Sequence, residues 1–394
     1  MMDSGIVTPK YVSDFSCIGP DCEDSCCIGW NIYIDKQSYK KTMAHRELKP
    51  LAKTAMKKIK KSDEQWAIIR SDAQGACPFL DSNRLCKIHA LAGEQTLSET
   101  CKTYPRTSLV REGDKYRSLS LSCPEAARLI LFSPDAFIFE RKESGANIMS
   151  ESSPLWVAKT YDNSIDLLLN EKLNWQEALL AIGFLVNTAD KVWSNEVGAE
   201  QLDVRLDQLT QMAEKGMLQE QYQTLTYVDE HQVQAFASIH GMFIDEHPRR
   251  DGVRFKTVND AISTLLNDDR TVDVDKINHA WNTIASPALE EHGDIFKRYI
   301  LYYIYHEYFP ITLGEAPQSA FRLLVLDCFM LRCYLAVIAH KNNGLSESDV
   351  ILCFQVYHVV RQHKSTFVKG ATAMMEKFNF SNIAGIISLL KTGS

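Results

Sequence analysis

From about residue 156 onward the chain repeats one pattern, with apolar residues at steps of three and four and polar residues between them. The stretches "NWQEALLAIGFLVNTADKVW", "LDVRLDQLTQMAEKGMLQEQY", "FRLLVLDCFMLRCYLAVIAHK", "SESDVILCFQVYHVVRQH" and "NIAGIISLLKT" all carry it. That spacing puts the apolar side chains on one side of a helix and predicts helices with one buried face. Ser346-Glu-Ser-Asp349 fits a helix start, because a serine oxygen can accept hydrogen bonds from first-turn amides. No repeat of fixed period is apparent. The expectation is one all-helical domain over residues 156–394.

The first third reads differently. "NIYID" at 31–35 alternates apolar and polar, as a short strand does. "TSLVREGDKYRSLSLS" predicts two strands turning at Glu112-Gly113-Asp114. Between them, "DKQSYKKTMAHRELKPLAKTAMKKIKK" is helix-like, with a break expected at Pro50, which lacks a backbone N–H. "CPEAARLILF" predicts a helix with Pro124 in its first turn. The polar "ERKESGANIMSESSP" marks a boundary. The fold expected is therefore mainly α: a Cys-rich metal- or cluster-binding domain with short strands over 1–140, a linker over 141–155, then the helical domain.

Composition narrows the function classes. At 394 residues, 45% hydrophobic and 24% charged, the chain suits a soluble protein with more than one core. A net charge of −7 gives no reason to expect nucleic-acid binding. The charge is uneven: residues 36–70 hold 11 Lys/Arg against 3 Asp/Glu. The basic run Lys49 to Lys61 reads as a solvated helix face, with contact to an acidic protein surface as the alternative. Leu323 to Ala339 is about membrane length but is broken by Asp327 and Arg332, so a buried helix is expected rather than insertion into a membrane. No basic start followed by an apolar run opens the chain, which leads us to expect a cytoplasmic protein. In that compartment thiols stay reduced, and metal or catalytic roles for cysteine outweigh disulfides.

The cysteines carry the chemistry. Of eleven, Cys328, Cys333 and Cys353 lie in apolar helical stretches and read as small buried hydrophobes. The other eight, Cys17, Cys22, Cys26, Cys27, Cys77, Cys86, Cys101 and Cys123, lie in the first third beside turn-forming or polar residues. Turns expose backbone amides, which stabilise thiolate and cluster charge, so a metal or iron–sulfur site is expected there. The paired two-residue knuckles common in zinc sites are absent, and an irregular set of thiols suits a cluster at least as well. The usual radical S-adenosylmethionine spacing is absent too, since Gly29 stands where its third cysteine would be. His89, three residues after Cys86, is a candidate extra ligand.

These motifs carry a resemblance. "C-x4-C-x3-CC-x-GW-x-I-x-ID", "ACPFL-x5-C-x-IH", "ETCKTYPR" and "LSLSCPEAARL" together resemble the flagellin lysine N-methylases of motile bacteria over residues 11–130. The Cys-rich part is similar to a wider family named for a zinc- or iron-chelating domain. The resemblance implies methyl transfer from S-adenosylmethionine to surface lysines of flagellin in the cytoplasm, and an iron–sulfur cluster of the 4Fe–4S type, with zinc as the alternative metal. The competing readings are a non-enzymatic zinc- or iron-binding protein and a thiol-redox protein using Cys26 and Cys27.

Lysine methylation needs a neutral amine, although lysine's reference pKa is about 10.4. No Gly-rich nucleotide fingerprint of the Rossmann type is present, so an unfamiliar cofactor pocket is expected. "RYILYYIYHEYFP" offers Tyr305 and Glu307 as weak catalytic candidates; the simpler reading is an amphipathic helix packing its tyrosines into the core. Trp30 is expected to cover the site rather than react.

Overall fold

The short segment Gly5–Pro9 forms strand β1, and a single helical turn follows as α1 (Lys10–Ser13). The computed structural model describes residues 4–28, 32–72, 75–83, 85–145, 152–249, 252–267, 271–311, 316–378, 380 and 382–393. Gly29 and Trp30, to which the sequence reading assigned roles, lie outside the described residues.

Beyond the cysteine-bearing loop come β2 (Ile32–Ile34), α2 (Lys36–Ala44), α3 (Leu48–Ala55), β3 (Met56–Lys58) and β4 (Ala67–Ile69). Then follow α4 (Lys87–Ala92), α5 (Glu99–Thr103), β5 (Arg106–Arg111), β6 (Asp114–Leu119), α6 (Pro124–Phe132) and β7 (Phe139–Glu143). The predicted hairpin is β5–β6, antiparallel and turning at Glu112-Gly113, and Pro124 opens α6 as expected. Strand β7, which reaches into the stretch read as a linker, pairs antiparallel with β1. One sheet has the order β5-β6-β1-β7, with β1 and β6 parallel; the other is the small antiparallel set β2-β4-β3.

Two expectations for residues 36–61 are corrected. The helical stretch breaks at His45–Glu47 rather than at Pro50, which sits in the first turn of α3. A first-turn residue has no intrahelical acceptor for its N–H, so proline costs little there. The end of the basic run is not a helix face either. Lys57 and Lys58 lie on β3, an edge strand, and Lys60 and Lys61 follow it, all exposed. Exposed lysines on an edge discourage pairing with another chain.

The remaining helices are α7 (Leu155–Leu169), α8 (Trp175–Trp193), α9 (Gln201–Glu214), α10 (Met217–Thr224), α11 (Asp229–Glu246), α12 (Val253–Ser263) and α13 (Val274–Ala280). After these come α14 (Ser286–Glu290), α15 (Ile295–Glu307), α16 (Pro317–Asn342), α17 (Glu347–Arg361), α18 (Ser365–Lys377) and α19 (Ile383–Ser388). The expected cap at Ser346 is a capping box with Asp349. Helix α16 is long and apolar enough to span a membrane, yet 94% of its apolar window is buried inside the fold. Its two charges find partners. Asp327 accepts from Arg361 Nε at 2.8 Å and from Tyr357 at 2.6 Å, while Arg332 donates to the carbonyl of Leu390 at 2.9 Å and to Asn278 at 3.2 Å.

Packing gathers the chain into two cores. The small one joins Ile32, Ile34, Leu48, Ala52, Met56, Ala67, Ile69, Phe79, Ile88 and Leu97. The large one joins the helices to Tyr11, Val12, Phe15, Leu119, Leu121 and Ile130. The chain thus leaves the helical body after Phe15, builds a subdomain up to Cys101, and returns through β5 and β6. The cysteines sit where it crosses.

Candidate functional site

The loop of residues 17–28 contains only one short 3-10 turn, Gly19–Asp21, so its position depends on side chains from elsewhere. Asp24 supplies the anchor. Its carboxylate accepts from Arg249 Nη1 and from Gln355 Nε2, the latter at 2.7 Å, and Arg249 Nε donates to the Ile28 carbonyl at 2.7 Å. Arg128 on α6 pairs with Glu23, Glu125 and Glu347 together. On the other side, the Cys77 amide donates to the Cys27 carbonyl at 2.8 Å, tying the loop to the small core. The cysteine loop is therefore clamped between the subdomain and the helical body.

Six of the eight N-terminal cysteines, Cys17, Cys22, Cys26, Cys27, Cys86 and Cys123, line one cavity of about 190 Å³. His89, Phe15, Asp24, Tyr104, Ser122 and Arg249 share its wall. Cys77 and Cys101 are not in that wall, but both lie within electrostatic reach of Cys26 and Cys86. The eight thiols thus form one neighbourhood drawn from separate segments. Cys26 and Cys27 place their sulfurs 4.0 Å apart. The Cys27 thiol hydrogen bond, aided by Arg249, pulls Cys26 below the usual thiol range and leaves Cys27 well above it. The three C-terminal cysteines are buried in the helical core, as the sequence indicates.

The electrostatics of the set suit a bound soft cation. Burial pushes Cys77 and Cys123 up to about 12 and Cys101 up to about 11, so without a cation these thiols stay protonated at neutral pH. Backbone amides oppose that shift: Phe79 acts on Cys77, Ile88 and His89 on Cys86, and Glu125 and Ala126 on Cys123. Cys123 is also the N-cap of α6, where the helix dipole favours negative charge. A metal or cluster that displaces the thiol protons would find donors already aimed at the resulting thiolates. Among the described residues, no three His, Cys, Asp or Glu side chains are grouped closely enough to hold a single ion.

A second cavity, also about 190 Å³, adjoins the first. Tyr104, Ser122, Pro248, Arg249, Val359, His363 and Lys364 line it, and the two cavities share Tyr104, Ser122 and Arg249. A polar seam runs beneath. Ser122 Oγ lies 2.7 Å from His363 Nε2 and 3.0 Å from Tyr104 Oη; Ser120 Oγ donates to Gln362 Oε1 at 2.8 Å; Ser118 Oγ lies 2.8 Å from His306 Nδ1. The alternate serines of "SLSLS" thus face α15 and the end of α17. Strand periodicity could have signalled this, but only the tertiary structure supplies the histidines and Gln362.

Tyr305 and Glu307 line neither cavity. Tyr305 is buried and its hydroxyl donates to the Arg117 carbonyl at 2.9 Å; Glu307 lies 3.9 Å from the Arg361 guanidinium. Tyr302 and Tyr303 are buried in the large core. Asp24, Arg249, His363 and Lys364 border the cavities and were missed, because no local pattern distinguishes them.

A thiol-lined cavity in the seam between a Cys-rich subdomain and a helical body defines a candidate metal- or cluster-binding protein. The comparisons then make the assignment specific. Residues 161–389 match the FliB lysine N-methylase C-terminal domain, and residues 16–124 match the "Putative zinc- or iron-chelating domain". The chain belongs to the FliB lysine N-methylase family. It is 25% identical to the lysine-N-methylases of Salmonella choleraesuis and Salmonella typhimurium, over 99% of this chain and 100% of each relative. It is also 37% identical to the flagellar biosynthetic protein FliU of Salmonella muenchen, over 36% of this chain and 87% of that relative. No solved structure matches the chain.

Proposed function

We propose that this protein is a methyltransferase that moves methyl groups from S-adenosylmethionine to surface lysines of flagellin in the cytoplasm, with a 4Fe–4S cluster held by its N-terminal cysteines. The observation that carries this reading is the placement of the thiol cavity. Six cysteines and His89 line one space against the helical region that matches the methylase family. Cys22, Cys26, Cys27, Cys86 and Cys123, with Cys17 at the exposed edge, are the residues that would hold the group. When bound, a cluster supplies a concentrated charge and an iron able to take amino and carboxylate ligands.

The chain's own residues have three tasks. They must hold donor and acceptor in line, exclude water, and receive an amine without its extra proton. The nitrogen lone pair forms a bond to the methyl carbon, the carbon–sulfur bond breaks with its electron pair staying on sulfur, and one amine proton leaves. Phe15, Tyr104 and Leu80 give the cavity its apolar walls, while Arg249 and Asp24 fix its floor.

The test is anaerobic purification with iron, zinc and sulfide analysis, followed by a methylation assay on that same sample with flagellin and labelled S-adenosylmethionine. Iron and sulfide in equal amounts, a brown colour and labelled flagellin lysines are expected. A colourless zinc protein that still methylates overturns the cluster alone; a metal-loaded protein that transfers no methyl overturns the enzyme reading.

A further inference from the structure

Helices α8 and α9 each carry a second flank besides the apolar face that enters the large core. On α9, Gln201, Val204, Arg205 and Gln208 recur at steps of three and one, which sets them side by side along the helix. On α8, Asn187 and Lys191 stand about one turn apart. Both flanks line a cavity of about 300 Å³, together with Val197 of the connecting loop, and it shares no residue with the thiol cavity or its neighbour. Its wall holds two cations, Lys191 and Arg205, and no carboxylate. Neither cation makes an ion pair among the described residues. The acids of the same segment are engaged elsewhere: Asp190 accepts from Gln318 at 3.2 Å, Glu196 from Ser194 at 3.0 Å, and Asp203 pairs with Lys159. Glu200 and Asp207 form no part of the wall. The Arg205 guanidinium is half-buried, 5.5 Å from the centre of the Phe184 ring. Its Nη1 donates to the neutral Gln208 Oε1 at 3.2 Å, while its Nε is shielded from solvent and has no acceptor. Burial lowers its pKa, and no acidic group opposes the shift.

We propose that the cavity between α8 and α9 binds a small organic oxyanion, a carboxylate or a phosphate ester, with Arg205 and Lys191 as its counter-charges. A cation drawn partly out of water with no partner is costly, and an anion entering the cavity supplies the partner that the fold does not. The planar guanidinium suits the paired oxygens of a carboxylate or phosphate, and Lys191 adds a point charge from the neighbouring helix. The side-chain amides of Asn187 and Gln201 offer neutral donors on the same wall. A volume of about 300 Å³ exceeds what a bare ion fills, and Val197 and Val204 give an apolar surface for a short carbon skeleton. This site stands whether or not the chain transfers methyl groups.

The experiment follows the thermal midpoint of the full chain, purified anaerobically, against glycerol 3-phosphate, succinate and chloride at equal ionic strength. A saturable rise with glycerol 3-phosphate or succinate, and none with chloride, is expected. The better of the two tells phosphate ester from carboxylate. Arg205→Gln and Lys191→Gln are each expected to raise the half-saturating concentration about tenfold, the size of one charge-assisted hydrogen bond. Arg205→Lys is expected to recover part of the loss, since it keeps the charge without the fork. Lys215→Gln, at the far end of α9, is expected to change nothing. The midpoint without ligand serves as the folding control, and Lys191→Gln, on an exposed side chain, carries the same test if Arg205→Gln does not fold. An equal rise with chloride, or a rise that survives loss of both cations, overturns the site as a mere effect of salt. No rise with any anion overturns it too. In that case a higher KM for flagellin in Arg205→Gln would assign the cations to an acidic segment of the protein substrate instead.

Discussion

Arg111 shows how an aromatic-rich sequence can mislead at the scale of single residues. Its guanidinium lies 3.8 Å from the ring centre of Tyr116, 4.4 Å from Tyr161, 4.3 Å from Tyr308 and 6.0 Å from Tyr305. Two of these rings, Tyr305 and Tyr308, come from the tyrosine-rich "RYILYYIYHEYFP", and they hold the chain's own cation at the end of β5. Cation–π contact stabilises a guanidinium that has little access to water. Asp327 and Arg361 solve the same problem by pairing, deep between α16 and α17. Replacing one member of a buried pair leaves the other charge uncompensated. Asp327→Asn should therefore cost about 3–5 kcal/mol, read as a lower urea midpoint at unchanged m-value. A loss below about 1 kcal/mol would show that Glu307, 3.9 Å from Arg361, neutralises it alone.

At the scale of elements, the Cys-rich subdomain is the weak part. Its sheet consists of three strands of three residues, and its core is small beside that of the helices. Cores of that size usually need a metal or a covalent staple. Cys27, Cys86 and Cys101 pack against this core, and the cavity that Cys27 and Cys86 border joins it to the helical body. If the proposed metal group is bound, its removal by chelation or oxidation should loosen residues 32–101 first. Amide hydrogen exchange is expected to rise in β2, β4 and α4, while α16 and α17 keep their protection. Uniform exchange across both cores after metal loss would contradict the subdomain's dependence on it.

Stability of the whole molecule should fall in mild acid. Burial lowers His240 to about 4 and His358 to about 3, from an ordinary value of 6.5. Both stay neutral in the folded protein while the unfolded chain takes up protons below pH 6.5. Their contribution is fully present above that pH and is lost as pH falls through 6.5 toward 4. At pH 5.5 the loss is about 1.4 kcal/mol for each, or roughly 3 kcal/mol for the pair. Urea denaturation at pH 7.0 and 5.5 measures it, and His240→Gln should reduce the difference by about 1.4 kcal/mol. An unchanged difference in that variant would mean that His240 protonates within the fold.

The features legible in the residue order are those that depend on near neighbours. Helical periodicity marked the helical region, alternation and Glu112-Gly113 marked the hairpin, and the cap at Ser346 was legible in four residues. The association of eight cysteines with turns singled out the candidate site, since a turn leaves amides free to serve a thiolate. The break between α2 and α3 was misplaced because a proline in a first turn costs almost nothing, and the basic run was misread because three-residue strands lack a period of their own. Which thiols share a cavity follows from long-range packing alone. Only it brought Arg249, His363 and Lys364, more than 200 positions from Cys26, to that cavity's edge. A site that joins two cores is built from long-range contacts between them, and no local spacing encodes such contacts.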